Sequence, residues 1–406
     1  MDSLITAAGL ALAAGDRLGA LKRVALREDA PALALRGIIM AQLGDLKRAK
    51  ALLRRASLAF GPKEAVSRAR CVVAAAEIAL VSRDLLEPPK ALDAARATLE
   101  ASGDFINAAH ARNLKVQRLV LIGNLKGAER ELEGFDPTPL PPAWRAAHEL
   151  AVAAIAIRRL NTGAATAAFD RARHAARAAN IPVLTTEVEN AAQVMERPAA
   201  RRIASGKERP LLLEDVEALL ISDVLVIDAC RNVIRKGRRS VSLATRPVLF
   251  ALARALGEAW PKDAPRDLLV KRAFGGKEAD ESHRARLRVE IGRLRGELEC
   301  LVEVVATQRG FALAPRQTDE IAIVAPPVDE RHAAVLALLA DGESWSTSAM
   351  ALALGTSIRT VQRAFEQLAA LGKVQSIGDG RARRWLAPAL HGFPTILLLP
   401  GPLPGA

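Results

Sequence analysis

The chain has 406 residues, a formal net charge of +13 and 50% hydrophobic residues, yet only 3% aromatics and no tyrosine. At roughly 100–200 residues per domain this is two to four domains, with aliphatic helical cores rather than sheets packed through rings. Three cysteines without a CxxC pair exclude a disulfide framework and a four-cysteine zinc site, and the positive charge asks for an acidic partner, although no segment is a polybasic tail.

From residue 1 to 197 Ala, Leu, Arg and Glu dominate, and apolar residues recur at three and four, as in amphipathic helices. Polar breaks interrupt the pattern at Gly15-Asp16, Gly44-Asp45, Arg83-Asp84, Gly123-Asn124 and Asn161–Gly163, the last four 38–40 residues apart. That is the spacing of a repeated helix hairpin. The clearest unit runs Ala41–Ala56 and ends at Gly61-Pro62. Gly44 opens the turn, and Ala49 and Ala56 are small enough for close helix packing. Leu121–Glu129 with Asp136-Pro137 repeats it, and Ala164–Ala178 with Ile181-Pro182 does so more loosely. These units resemble the tetratricopeptide (TPR) repeat, which implies an α-solenoid of about five units with a concave face. Such a face is either a groove for a peptide, partner domain or small molecule, or a scaffold or dimerisation element. The basic stripe Lys47, Arg48, Lys50, Arg54, Arg55 reads as a solvated helix face.

The polar, proline-bounded run Glu196–Pro210 marks a linker, taken as residues 198–221. Beyond it, over 222–318, β-branched runs predict strands at Val224–Ile227, Val233-Ile234 and Val241–Leu243, with a turn at Lys236–Arg238. Helices are predicted at Thr245–Glu258, Pro265–Phe274 and Ser282–Leu301, with a break at Gly275-Gly276. A closing hairpin uses Val302–Val305 and Phe311–Leu313. In the third helix Leu287, Ile291, Leu294 and Leu298 form one buried stripe. Five arginines, Arg284, Arg286, Arg288, Arg293 and Arg295, face a single acid, Glu290, between residues 284 and 295. Arginine can hold a guanine edge through two parallel bonds and can clamp phosphates.

Strands, three helices and a hairpin make a winged helix-turn-helix. Val289–Glu299 (VEIGRLRGELE) and Val305–Phe311 (VATQRGF) resemble the recognition-helix and wing signatures of the OmpR/PhoB-type winged-helix family of bacterial response regulators. Gly292 stands where that family has a basic residue, and the wing lacks its second glycine and its aromatic. The resemblance implies that Arg293 reads bases, that Arg286 and Glu290 sit near base edges, and that Thr307 and Arg309 touch backbone or minor groove. Arg284, Arg288 and Arg295 flank them. The alternative is a winged helix that binds protein.

After Ala325-Pro326-Pro327 a second unit spans 328–388. Helices are predicted at Glu330–Ala340, Thr347–Leu354 and Ser357–Leu371, followed by a hairpin turning at Gly378-Asp379-Gly380. Leu354–Gln375 resembles the helix-turn-helix of bacterial winged-helix regulators as a superfamily. Val361, Phe365, Leu368 and Leu371 are its expected core stripe. Ser357, Arg359, Thr360, Gln362 and Arg363 are left for DNA, with Arg381, Arg383 and Arg384 on the wing, while Trp385 reads as core. Residues 389–406 are a Pro- and Gly-rich tail.

The expected fold is therefore mainly α: a TPR-like α-solenoid followed by two winged helices. The N-terminal apolar run lacks a basic leader and breaks at Asp16-Arg17, and Ile396–Leu399 is too short to span a bilayer, so a cytoplasmic protein is expected. His148-Glu149 lacks the second histidine of a zincin helix. Neither Gly206-Lys207 nor Gly276-Lys277 completes a phosphate-binding loop, and the six histidines never approach ligand spacing. No enzyme, cofactor or metal is expected. The sequence points to a bacterial transcriptional regulator that binds double-stranded DNA and senses a protein or small-molecule effector on its repeats, and the OmpR/PhoB-type resemblance implies pairing as a homodimer. The alternative is an adaptor whose repeats and winged helices bind proteins.

Overall fold

The computed structural model describes residues 2–386, apart from 14, 83, 85–88, 205, 275–280, 316–319, 328–331, 340–343, 379 and 381–382. The protein is mainly helical and divides into two compact bodies. One comprises the chain to residue 158, residues 164–191 and the segment from 334 onward; the other comprises 159–163 and 192–333.

The first body begins with helices laid down in pairs: α1 (Ser3–Ala13) with α2 (Arg17–Val24), α3 (Ala30–Gln42) with α4 (Leu46–Ala59), and α5 (Ala65–Val81) with α6 (Pro89–Ala101). α7 (Phe105–Leu121) with α8 (Leu125–Leu132) and α9 (Pro142–Arg158) with α10 (Thr162–Ala179) follow, and α11 (Pro182–Ala192) ends the run. One device ends four of these helices and starts the next. Gly15, Gly44, Gly103 and Gly123 adopt positive φ, and the next residue, Asp16, Asp45, Asp104 or Asn124, caps the following helix by accepting the amide three positions on. The polar breaks at 15, 44 and 123 are thus helix stops and starts in two residues. Within the α3–α4 pair Ala49 and Ala56 are fully buried, and a Cβ on Gly37 would lie 2.8 Å from Leu53 Cγ. Asp45→Ala leaves that packing intact but removes the cap, and is expected to cost about 1 kcal/mol in a thermal melt, with Asp45→Asn nearly neutral. The basic stripe on α4 is solvated and partly paired: Lys50 meets Asp84 at 2.9 Å and Arg55 meets Glu28.

The second body opens where a linker was expected. Residues 198–221 instead form β1 (Ala200–Ala204), β2 (Lys207–Leu211) and α12 (Leu213–Ile221). Their polarity is that of an edge hairpin: β2 exposes Lys207, Glu208, Arg209 and Pro210, charges and a proline that an edge strand tolerates and an interior strand does not. Then come β3 (Leu225–Asp228), β4 (Val233–Lys236), β5 (Arg239–Ser242), α13 (Pro247–Ala259), β6 (Ala264–Pro265), α14 (Arg266–Phe274), α15 (Glu281–Leu298), β7 (Glu303–Ala306), β8 (Gly310–Ala314) and β9 (Ile321–Ala325). The strands at 225, 233 and 239, the three helices and the β7–β8 hairpin lie where the sequence predicts them. The break at Gly275-Gly276 lies outside the described residues.

β9 was not expected. It returns beside β3, parallel to it, and completes a six-stranded sheet in the order β2-β1-β9-β3-β4-β5. Both faces of this sheet are covered. Leu225, Ile227, Ile321 and Ile323 pack with Leu252 and Leu256 of α13 and with the α15 stripe. Val226 and Val324 pack on the other face with Val216 and Leu220 of α12. A strand buried on both faces reads as an unbroken apolar run without alternation, as β3 and β9 do. The short sheet β6-β8-β7 closes the hairpin end.

The segment from 334 belongs to the first body. It carries α16 (Ala333–Leu339), α17 (Thr347–Leu354), α18 (Ile358–Ala370), β10 (Gln375–Ile377) and β11 (Arg384–Leu386), with Trp345 paired to Trp385 as an extra bridge. Its apolar cluster, with Trp345, Phe365 and Trp385, also contains Val73, Leu92, Leu99 and Leu114 of the helix pairs. Val361, Phe365 and Leu368 are core as expected. Leu371 is not: it is the C-cap residue of α18 and 68% exposed, and Ala364 fills the stripe instead. The tail 389–406 lies outside the described residues.

Candidate nucleic-acid interface

The arginine-rich helix α15 is anchored by Leu287, Ile291, Leu294 and Leu298, each at most 1% exposed. That anchoring determines what faces outward. Ala285, Val289, Gly292 and Gly296 follow at i, i+4, i+7 and i+11 and form the opposite, exposed stripe. A Cβ added at Gly292 or Gly296 would meet nothing within 4 Å. The arginines stand on either side of this smooth stripe: Arg284, Arg288 and Arg295 along one edge, Arg286 and Arg293 along the other.

Their environments differ. Arg286 lies over the Phe274 ring, 4.6 Å from its centroid, and Arg284 is 3.8 Å from Asp267. Arg293 is 63% exposed and donates to Glu290 at 2.8 Å, so Glu290 orients it. Arg288 is exposed. Arg295 is spent on structure: its Nε donates to the Val304 carbonyl at 2.7 Å and holds α15 against the hairpin.

The hairpin turn is built from side chains as much as backbone. Thr307 Oγ1 donates to Asp263 at 2.6 Å and accepts the Gly310 amide at 2.9 Å. Thr307 is therefore tied into the turn, whereas the Arg309 side chain is exposed at its tip. Sequence reasoning passed over Arg266, which donates to the carbonyls of Gln308 and Thr307 and lies 5.6 Å from the Phe311 ring centroid. It also passed over Arg246, paired with Glu297 on the flank of α15. Both partners come from distant chain positions, and no local spacing signals them.

In the C-terminal segment Ser357 caps α18, accepting the Thr360 amide at 3.1 Å. Ser357, Arg359, Thr360, Gln362 and Arg363 are all exposed on the first turns of that helix, and Gln362 donates to Glu366 at 3.2 Å. Arg383 is exposed beside Trp385, Arg384 is half-buried in β11, and Arg381 lies outside the described residues. Trp385 is 4% exposed and stacks on Phe365 at 4.7 Å, so it is core and not a platform for bases. Seven of the eight sites predicted on the second unit are thus placed on one helix and one hairpin.

Among the described residues no group of His, Cys, Asp and Glu side chains could hold a metal ion, and no helix is long and apolar enough to cross a membrane. Cys71 is buried, and burial pushes its thiol up to about 12, which leaves it neutral and unreactive as a nucleophile. No protein-family profile, curated protein or solved structure matches the chain.

Proposed function

We propose that this protein is a transcriptional regulator of bacterial type that binds double-stranded DNA through an OmpR/PhoB-type winged helix in its second body. A second winged helix in the 334–386 segment and a TPR-like solenoid that receives an effector complete the reading. The observation that carries it is the outward face of α15: a smooth stripe of Ala, Val and Gly between two rows of arginines. A helix so shaped can bring its backbone close to base edges while guanidinium groups reach phosphates and guanines on both sides. Arg309 at the tip of the adjacent hairpin then meets the sugar–phosphate backbone, while Thr307 holds the shape of that turn. Phosphate contacts supply salt-dependent affinity, and Arg293, oriented by Glu290, supplies base discrimination. In the second winged helix Arg359, Gln362 and Arg363 take the corresponding place.

The test is selection of duplexes from a random pool at two salt concentrations, followed by titration of variants on the enriched site. Gly292→Glu places a charge and bulk in open space on the outward stripe. It is expected to leave the melting temperature unchanged and to lower affinity by at least about tenfold. Arg293→Ala is expected to cost about 1–3 kcal/mol and to relax one base position. Binding that is indifferent to both would overturn the docking of α15. Absence of any retention at low salt would favour the adaptor reading instead.

A further inference from the structure

The first helices of successive pairs, α5, α7 and α9, together with α10 and α11, line an open cavity of about 400 Å³ within the first body. Its walls are Leu, Val, Ala, Ile and Phe, interrupted by five polar side chains: Glu77, His110, Asn113, Gln117 and Glu187. No lysine or arginine lines it, in a chain with 58 basic and 45 acidic residues. The adjoining cavity, about 380 Å³ and sharing Leu80 and Leu114, differs: Lys50, Arg54 and Arg118 stand in its wall with one acid, Asp84, which pairs with Lys50.

The polar groups are deeply placed. Glu77 is 4% exposed and its Oε2 lies 2.8 Å from His110 Nε2, itself on a residue 3% exposed. In the neutral tautomer that donates Nε2–H to that carboxylate, Nδ1 is an acceptor, and His110 Nδ1 has no hydrogen-bond partner. Asn113, 8% exposed, has an unpartnered Oδ1, a second acceptor. Buried polar atoms are ordinarily hydrogen-bonded, and each exception asks for a reason. Both exceptions lie on residues that line this cavity together with two carboxylates, and the same two residues also border a narrow cleft beside Arg112 and Trp144. A group that brings only donors and a positive charge satisfies all of them, and an ammonium ion is that group. An anion would meet the Glu77 and Glu187 carboxylates in a wall that holds no lysine or arginine.

We propose that this cavity binds a small organic cation, an amine carried on an apolar body of a size that fits its volume. The site stands independently of DNA binding, because every residue that lines it belongs to the first body. The experiment is calorimetric titration of the full-length protein with three matched probes: 4-phenylbutylamine, 4-phenylbutanol and 4-phenylbutyrate. The amine is expected to bind at least about tenfold more tightly than the carboxylate, with the alcohol between them. Ala154→Phe fills the cavity from a half-buried lining position and is expected to abolish amine binding, with helicity by circular dichroism unchanged. Asn113→Ala is expected to weaken the amine several-fold and the carboxylate hardly at all. Equal binding of amine and carboxylate, amine binding that survives Ala154→Phe, or no heat from any probe with folded protein would each overturn the proposal. DNA affinity plays no part in these outcomes, so the site and the DNA reading can fail separately.

Discussion

Gly310→Ala is expected to destabilise the second body by about 3 kcal/mol or more, the largest effect of any single methyl group added to it. A Cβ at this position would lie 1.8 Å from the Ala264 carbonyl oxygen, 2.8 Å from its carbon and 3.1 Å from Pro265 Cα. All three are backbone atoms, so no rotamer change relieves the clash. The strands must part, and with them goes the pairing of Ala264 with Phe311 and Pro265 with Gly310. Thr307 loses the amide it accepts, and Arg266 loses the turn it clamps. Differential scanning calorimetry of the whole chain should show one transition shifted down while the helical pairs melt as before. An unshifted transition would mean that β6 does not approach β8 as described.

Trp385→Ala is expected to cost about 3–5 kcal/mol in the C-terminal segment. The ring is buried, stacked on Phe365 with 7° between planes, and its indole N–H donates to Thr347 Oγ1 at 3.2 Å. Removing it opens a cavity beside Phe365, itself fully buried, and leaves the half-buried Thr347 hydroxyl without its donor. Trp385→Phe keeps a stacked ring and should recover most of the loss. Amide exchange in α17, α18 and β11 measures the effect, since opening there raises exchange without melting the second body. If Trp385→Ala left exchange unchanged and instead lowered affinity for nucleic acid, the residue would be a stacking surface and its assignment to the core would be wrong.

Much of the local structure was legible because it is governed by near neighbours. A glycine followed by Asp or Asn both ends one helix and starts the next, so Gly44-Asp45 and Gly123-Asn124 marked their turns without tertiary information. The α15 stripe was legible for the same reason: Leu287, Ile291, Leu294 and Leu298 repeat at helical spacing, and burying them leaves the arginines at the sides. Where several packing partners compete, local pattern failed. Leu371 continues the apolar spacing of α18, but the helix stops there and Gly372 turns the chain away, leaving the side chain in solvent.

The amino-acid sequence by itself therefore determined the helical pairs, the capped turns, the three helices and hairpin of the second body, and the arginine content of α15. These depend on periodicity and capping, which act within a few residues. Only the tertiary structure decided the rest. It turned Glu196–Pro210 from a linker into an edge hairpin, because exposed charges are as compatible with a sheet edge as with a mobile segment. It brought β9 back between β1 and β3, a pairing of Ile321 with Leu225 across nearly a hundred residues that no local pattern encodes. It bound Arg295 and Thr307 into the hairpin and left Arg288 and Arg293 exposed, a sorting that depends on where the Val304 carbonyl and the Asp263 carboxylate lie. And it gathered Glu77, His110 and Asn113 around one apolar cavity, since residues on separate helices share a site only when the helices pack.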